Sequence, residues 1–367
     1  MKRIFPSIRT LLAGLALLAS CTDDGQVLLP LPTVSGVTLA PVASSQVQWT
    51  GVAVTKEGRI FANFPRMETD TIPYSVAVIN GDQATPFPNA EWNQWNPSLS
   101  PQDHFICVQS VYVDDQNFLW VLDAAAPLMR GTVRNGPKLL KFDPTTGQLV
   151  QRITFDETVA FPASYLNDVR VDTQKKFAYI TDSNRGAIIV VNLATGKSQR
   201  RLGNHPSTKS ENVVIEAEGR VWRDPSGKLP SIDSDGIGLT PDRTYVYYHA
   251  LTALPLYRIG TQYLQDESLT EAQLAQHVEL VMKTNPPDGM LFDAKGNLYL
   301  TDVENNAVNR LTPGQQLQRV VQSPQLKWPD SFALGPDGAL YVTTSQLHIP
   351  RRERTEPYRI FKITIPQ

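Results

Sequence analysis

Leu166-Asn167-Asp168-Val169-Arg170-Val171-Asp172, followed after a polar turn by Ala178-Tyr179-Ile180-Thr181-Asp182, is the stretch whose reading decides the fold. A small or polar pair opens it, apolar residues alternate with others, and a second short apolar strand returns. Alternation at period two marks a strand with two distinct faces, and the intervening turn makes the two strands a hairpin. The unit recurs before and after this copy. It stands at Thr50-Gly51-Val52-Ala53-Val54 with Arg59-Ile60-Phe61, and at Gln109-Ser110-Val111-Tyr112-Val113-Asp114 with Phe118-Leu119-Trp120-Val121-Leu122-Asp123. Downstream come Asp235-Gly236-Ile237-Gly238-Leu239 with Tyr245-Val246-Tyr247-Tyr248, Asp288-Gly289-Met290-Leu291-Phe292-Asp293 with Leu298-Tyr299-Leu300-Thr301-Asp302, and Asp330-Ser331-Phe332-Ala333-Leu334 with Leu340-Tyr341-Val342-Thr343-Thr344.

Most copies are followed by a further strand pair, such as Lys138 to Phe142 turning at Thr145-Thr146-Gly147, or Ala187 to Leu193 turning at Thr195-Gly196-Lys197. Four strands per unit and six units predict an all-β chain, a six-bladed β-propeller with four-stranded blades. Each unit has two apolar faces that only neighbouring blades can cover, so the ring must close. The copies start 42 to 68 residues apart, a regularity that a two-sheet sandwich does not explain. Arg359-Ile360-Phe361-Lys362-Ile363 has no partner downstream, so it is expected to join a blade shared with the N-terminal end and remove the exposed edges. Residues 203–234 and 264–282 interrupt the repeat. The second contains Thr270-Glu271-Ala272-Gln273, a capping-box spacing that predicts a short helix. Both insertions are expected over a mouth of the tunnel, as a lid.

Ahead of the repeats, Lys2, Arg3 and Arg9 precede an apolar run from Leu11 to Leu18, too short to span a bilayer. Leu18-Ala19-Ser20-Cys21 matches the lipobox of bacterial lipoproteins. The expectation is a signal peptide over 1–20, lipidation of Cys21, a Pro-, Ser- and Thr-rich tether over 21–48, and one propeller domain over 49–367. Thr22 after the cysteine gives no inner-membrane retention signal, so the expected location is the bacterial cell envelope, at the outer membrane, or outside the cell, with the lipid as the only membrane contact. Cys107 is then the one remaining thiol and no intramolecular disulfide can form. A net charge of −2, with Arg351-Arg352-Glu353-Arg354 as the densest basic run, excludes a nucleic-acid partner. The expected partner is a small molecule, bound by a monomer.

Aligning the six copies places one residue of each at the start of the strand that lines the tunnel: Thr50, Gln109, Asn167, Asp235, Asp288 and Asp330. These six are the expected ligand-binding ring. Three carboxylates held close disfavour one another's ionisation and call for a cation, a shared proton or a basic ligand. An oxygen-only set such as Asn167, Asp235, Asp288 and Asp330 suits a hard metal, and Ca²⁺ is the expected ion if one binds. Asp168 and Asp288 are the candidate proton-transfer groups, and Trp49, Tyr165 and Trp328 the candidate stacking surfaces. His104, His205, His249, His277 and His348 are scattered, and no nucleophile elbow or phosphate-cradling loop occurs.

Phe118 to Asp123 with Pro137-Lys138-Leu139-Leu140-Lys141-Phe142-Asp143, Leu166 to Asp172 with Ala178 to Ser183, and Tyr247-Tyr248-His249 with Leu256-Tyr257-Arg258-Ile259 resemble the royal-jelly/Yellow family, in that family's order. The resemblance implies a propeller whose tunnel takes a small aromatic or amine-bearing molecule, in some members with isomerisation of a dopachrome-like substrate. At superfamily level the repeat is similar to gluconolactonase and senescence-marker propellers, which implies an alternative, hydrolysis of a lactone or ester at an axial divalent metal. Asn167, Asp235 and Asp288 stand at matching positions, but Trp49 and Thr50 occupy the region of that group's first-blade Glu. A third reading is a non-catalytic envelope scaffold.

Overall fold

The computed structural model describes residues 31–224 and 226–366. The expected signal peptide and Cys21 lie outside them. Five blades are built from consecutive antiparallel strands, over residues 52–86, 108–154, 166–201, 234–283 and 290–322. The sixth is composite: Pro329–Leu334, Leu340–Thr344 and Tyr358–Thr364 pair in order, and Thr38–Ser45 adds the outermost strand. Its register runs from Thr38 opposite Thr364 to Ser45 opposite Tyr358, so the ring closes as the sequence predicts. The domain, however, begins earlier than position 49. Thr38–Ser45 lies inside the stretch read as tether because its alternation is broken by a register shift between Pro41 and Ala43. Thr33 already bridges to Arg319 of blade 5.

The core is a set of wedges between blades. Phe61 and Phe87 of blade 1 pack with Phe105, Leu119, Val121 and Phe142 of blade 2, and Tyr179 and Val190 of blade 3 with Ile237, Val246 and Ile259 of blade 4. Burying each large apolar side chain contributes about 1.5–3 kcal/mol. A second repeat, in charge, supports the blades. At the end of the second strand, Asp123, Asp182 and Asp302 are fully buried and meet Lys138 at 2.7 Å, Arg200 at 2.8 Å and Arg319 at 3.1 Å. Asp123 also accepts from the backbone N–H groups of Ile106 and Cys107, both at 2.8 Å, and so anchors the strand entering its own blade.

The two insertions part company. Residues 203–234 cross the face on which the innermost strands begin. Val213 N–H donates to Thr252 of blade 4, Glu216 N–H to Glu304 of blade 5, and Arg220 pairs with Glu353 of blade 6 at 2.8 Å. A small hairpin, Glu216–Ala217 with Arg220–Val221, lies at their centre, and Trp222 packs edge-on against Trp328 at 4.7 Å. This insertion is the expected lid. The 264–282 insertion is not. Its helix Glu271–Ala275 has the expected capping box at Thr270 and Gln273, but Leu264 and Leu274 are buried with Tyr179 and Leu202 of blade 3 and Ile259 of blade 4. Blade 3 ends in a short outer strand, Ser198–Arg201, and the helical segment fills the wedge beside it.

Candidate functional site

Gln109, Asn167, Asp235 and Asp330 of the predicted ring sit where the innermost strand of their blade is irregular, while Thr50 and Asp288 stand just ahead of the regular strands Val52–Val54 and Met290–Phe292. Pairing with the second strand slips between Val108 and Ser110, Leu166 and Val169, Ser234 and Ile237, and Pro329 and Phe332. The slip frees these four residues from the ladder and re-aims their side chains. Threonines of the second strands hold the freed backbone. Thr181 Oγ1 accepts from Asp168 N–H at 3.1 Å and donates to the Asp235 carbonyl at 2.6 Å, stitching blade 3 to blade 4. Thr301 accepts from Asp288 and Gly289 N–H, and Thr343 from Ser331 N–H. The strands approach so closely that a Cβ at Gly289 would stand 2.1 Å from the Asp330 carbonyl oxygen, and one at Gly236 2.6 Å from that of Asp288. Glycine after Asp235 and Asp288 is therefore a requirement of the approach, not of local dihedral freedom.

The ring has two unlike halves. In blades 1 to 3 the polar groups satisfy one another. Gln109 Nε2 donates to Asn167 Oδ1 at 2.9 Å, Tyr165 donates to Gln109 Oε1 at 2.8 Å, and Thr50 is turned aside, donating to the Gln109 carbonyl and accepting from Asn63. In blades 4 to 6 the carboxyls are left over. Asp235, Asp288 and Asp330 are all buried. Asp288 accepts from Trp328 Nε1 at 2.6 Å and Asp330 from Ser331 Oγ at 3.1 Å, while the Asp235 carboxyl accepts no hydrogen bond from any described residue. Asp168, one position on from the ring, accepts from Ser110 Oγ at 3.0 Å and lies 3.8 Å from Arg170.

Burial is the largest influence on all four carboxyls and raises each of them. Asp235 is driven well above the carboxylate range by burial and then by Asp288, Asp168 and Asp330, and Asp330 by burial and then Asp288. Asp288 rises to about 7, with burial opposed by the Trp328 N–H and aided by Asp168. In Asp168, burial outweighs the Arg170 charge and the Ser110 hydroxyl. Burial and mutual repulsion thus favour the protonated forms in the acidic half, and a cation placed among these groups would draw protons off them.

The arrangement does not fit the expected calcium set. Among the described residues, no three His, Cys, Asp or Glu side chains are placed to hold a metal ion. Asn167 Oδ1 is taken by Gln109, and Thr50, where a first-blade carboxylate would be needed, is engaged with its neighbour. Of the three expected stacking residues, Trp328 and Tyr165 adjoin the ring through their hydrogen bonds, whereas Trp49 is core, packed at 5.9 Å on Phe64. Sequence reading missed three participants: Trp328 as a donor to Asp288, Arg170 beside Asp168, and Trp222 of the lid, packed edge-on against Trp328. The Trp-Pro-Asp order at 328–330 carries no periodic signal, and Arg170 sits at a position that is Tyr112, Gly238 and Ala333 in other copies.

The sequence profile of the family described as "Major royal jelly protein" matches residues 106–359. Among curated proteins, major royal jelly protein 6 of Apis mellifera is 24% identical over 271 residues, 68% of this chain and 58% of that protein. A 6-deoxy-6-sulfogluconolactonase of Pseudomonas putida is 25% identical over 181 residues, 42% of this chain and 61% of its own. The chain spans about half the length of the curated relatives it matches, from 38% to 61%. In architecture it is similar to a gluconolactonase from Xanthomonas campestris, with a TM-score of 0.54 at 11% identity over 91% of both chains. It is also similar to virginiamycin B lyase from Staphylococcus aureus, with a TM-score of 0.51 at 14% identity over 90% of this chain and 99% of that one. Taken with the closed six-bladed ring, the profile match over most of the described residues shows that the chain belongs to the major royal jelly protein family.

Proposed function

We propose that the acidic half of the tunnel binds a small organic cation, an amine carrying an aromatic ring, beneath the 203–234 lid. The observation that carries this reading is the Asp235 carboxyl: buried, without a hydrogen-bond donor among the described residues, and under the repulsion of Asp288, Asp168 and Asp330. An ammonium supplies both the charge and the N–H donors such a group lacks. The indole of Trp328, held by Asp288, offers an apolar wall beside it. Asp288, titrating near 7, is suited to exchange a proton with a bound ligand, and isomerisation by proton transfer is the activity this would support. The chain is further read as an exported lipoprotein anchored through Cys21. Titration calorimetry with tyramine tests the binding reading. Saturable binding that strengthens as pH rises from 6 to 8 supports it; no heat at millimolar tyramine overturns it.

The likeness to the Pseudomonas putida lactonase favours a second reading, hydrolysis of a sugar lactone. Turnover of gluconolactone that depends on added calcium, with no tyramine binding, would put that reading in place of the first.

A further inference from the structure

Arg170 belongs to the innermost strand of blade 3, Leu166–Asp172, yet one arm of its guanidinium donates to the carbonyl of Met290 on the innermost strand of blade 5. Blade 4 stands between the two. A side chain can pass from blade 3 to blade 5 only through the central tunnel, so Arg170 lies across it. The strand it passes, Ser234–Leu239, carries glycine at Gly236 and Gly238. The other arm donates to the Val169 carbonyl at 2.7 Å, and Nε has no hydrogen-bond partner among the described residues although the side chain is only 6% exposed. Tyr112, at the equivalent position of blade 2, places its ring 5.5 Å from the guanidinium. On the far side of this layer a cleft of about 200 Å³ opens at the opposite mouth, lined in part by Arg243, Asp115, Asp293 and Leu291.

Two backbone carbonyls cannot neutralise a guanidinium withdrawn from water. The nearest anion is Asp168, at 3.8 Å, on the side of the acidic half-ring. In the copies before and after, the position of Asp168 is Ser110 or Gly236, so charge was not needed there to build a blade. The titratable and charged groups facing the pair are Asp235, Asp288 and Asp330 on the ring side, and the neutral phenol of Tyr112 with Arg243, Asp115 and Asp293 on the other. Arg243 is already matched, to Asp115 and at 3.3 Å to Asp172.

We propose that Arg170 is a built-in counter-cation and floor of the acidic chamber, a positioning residue that neutralises Asp168 and leaves Asp235, Asp288 and Asp330 as the groups free for a ligand. The chamber then opens only on the face crossed by the lid. This rests on the amine-binding reading for its functional meaning, but the charge pairing is tested without a ligand. Thermal melts of the full-length, ligand-free protein are compared at pH 5 and pH 8 for wild type, Arg170→Met, Asp168→Asn and the double variant. Arg170→Met leaves Asp168 buried without its cation, so its melting temperature is expected to fall further below wild type at pH 8 than at pH 5. The double variant is expected to lose that widening. A gap equal at both pH values, or one that Asp168→Asn does not narrow, would overturn the proposal and leave Arg170 as a clamp on the Met290 carbonyl. If Arg170→Met does not fold, Arg170→Lys serves: it keeps the charge but not the forked reach, and is expected to keep the wild-type pH profile, a changed profile counting against the pairing. Absence of tyramine binding with the pH-dependent rescue intact would remove the ligand reading and leave the pair standing.

Discussion

Replacing Asp288 by Asn should strengthen the empty protein while weakening its hold on a cation. The carboxyl titrates near 7 in the fold, against 3.8 for an unperturbed aspartate. Between these values the unfolded chain gives up its proton and the folded protein does not, so stability falls as pH rises from about 4 to 7. At 1.36 kcal/mol per unit this one group costs about 4 kcal/mol by neutral pH. Asn carries no such penalty, and its Oδ1 can still accept the Trp328 N–H that Asp288 now receives at 2.6 Å. Asp288→Asn should therefore match wild type at pH 4 and melt higher at pH 8, by roughly 6 °C for a domain of this size. The cation should behave oppositely. Tyramine stays charged over this range, and it needs Asp288 ionised, so wild-type affinity should drop as pH falls below 7. Loss of the charge should cost about 2–5 kcal/mol, or at least thirtyfold in Kd. Differential scanning calorimetry against pH and titration calorimetry at pH 8 read the two effects. A variant that is less stable at every pH and binds tyramine as wild type does would show that Asp288 only orients Trp328, and the charge argument would be refuted.

Gly289→Ala should destabilise by several kcal/mol, because its methyl would meet the Asp330 carbonyl at 2.1 Å, whereas Gly203→Ala, which has nothing within 4 Å, should leave the melting temperature within a degree or two. Deleting residues 355–367 removes the third strand of blade 6 and strands Thr38–Ser45 without a partner, so the product should be insoluble or lack a cooperative melt. Calcium and a chelator should each leave the melting temperature unchanged, since the acidic half-ring offers no grouped ligand set among the described residues; a clear rise with calcium would restore the metal reading. Fatty-acid labelling should mark the wild type and not Cys21→Ser, and equal labelling of both would end the lipoprotein assignment.

The architecture was legible because a propeller writes itself six times. Each copy of the alternating hairpin is weak, but only a ring of blades buries both faces of all of them. What failed at the fold level were single-copy features. Thr38–Ser45 is interrupted by the register shift after Pro41, and the cap at Thr270 marks a helix in 264–282 but not the wedge that Leu264 and Leu274 fill. The same contrast governs the site. Asp235, Asp288 and Asp330 were found by register, since the repeat itself puts them in line. Register could not say that Gln109, Asn167 and Thr50 would consume one another's hydrogen bonds, because that depends on side-chain distances between blades. Nor could it find Arg170 or the Trp222–Trp328 contact, which join blades or insertions far apart in sequence and occur once each.

Trp328 gives the chamber an optical consequence. Its indole N–H is fixed on Asp288, a ring carboxyl raised to about 7, and it packs edge to face with the indole of Trp222, 4.7 Å away on the lid. Two indoles at that separation and at 61° are close enough for their excited states to couple, and the expected outcome is a circular-dichroism couplet that Trp222→Phe removes. Lid movement would erase the couplet, while ionisation of Asp288 would shift the emission of Trp328 with the lid still closed. The tryptophan pair would then report, without any added label, on the position of the 203–234 insertion and on the charge of Asp288 through separate signals.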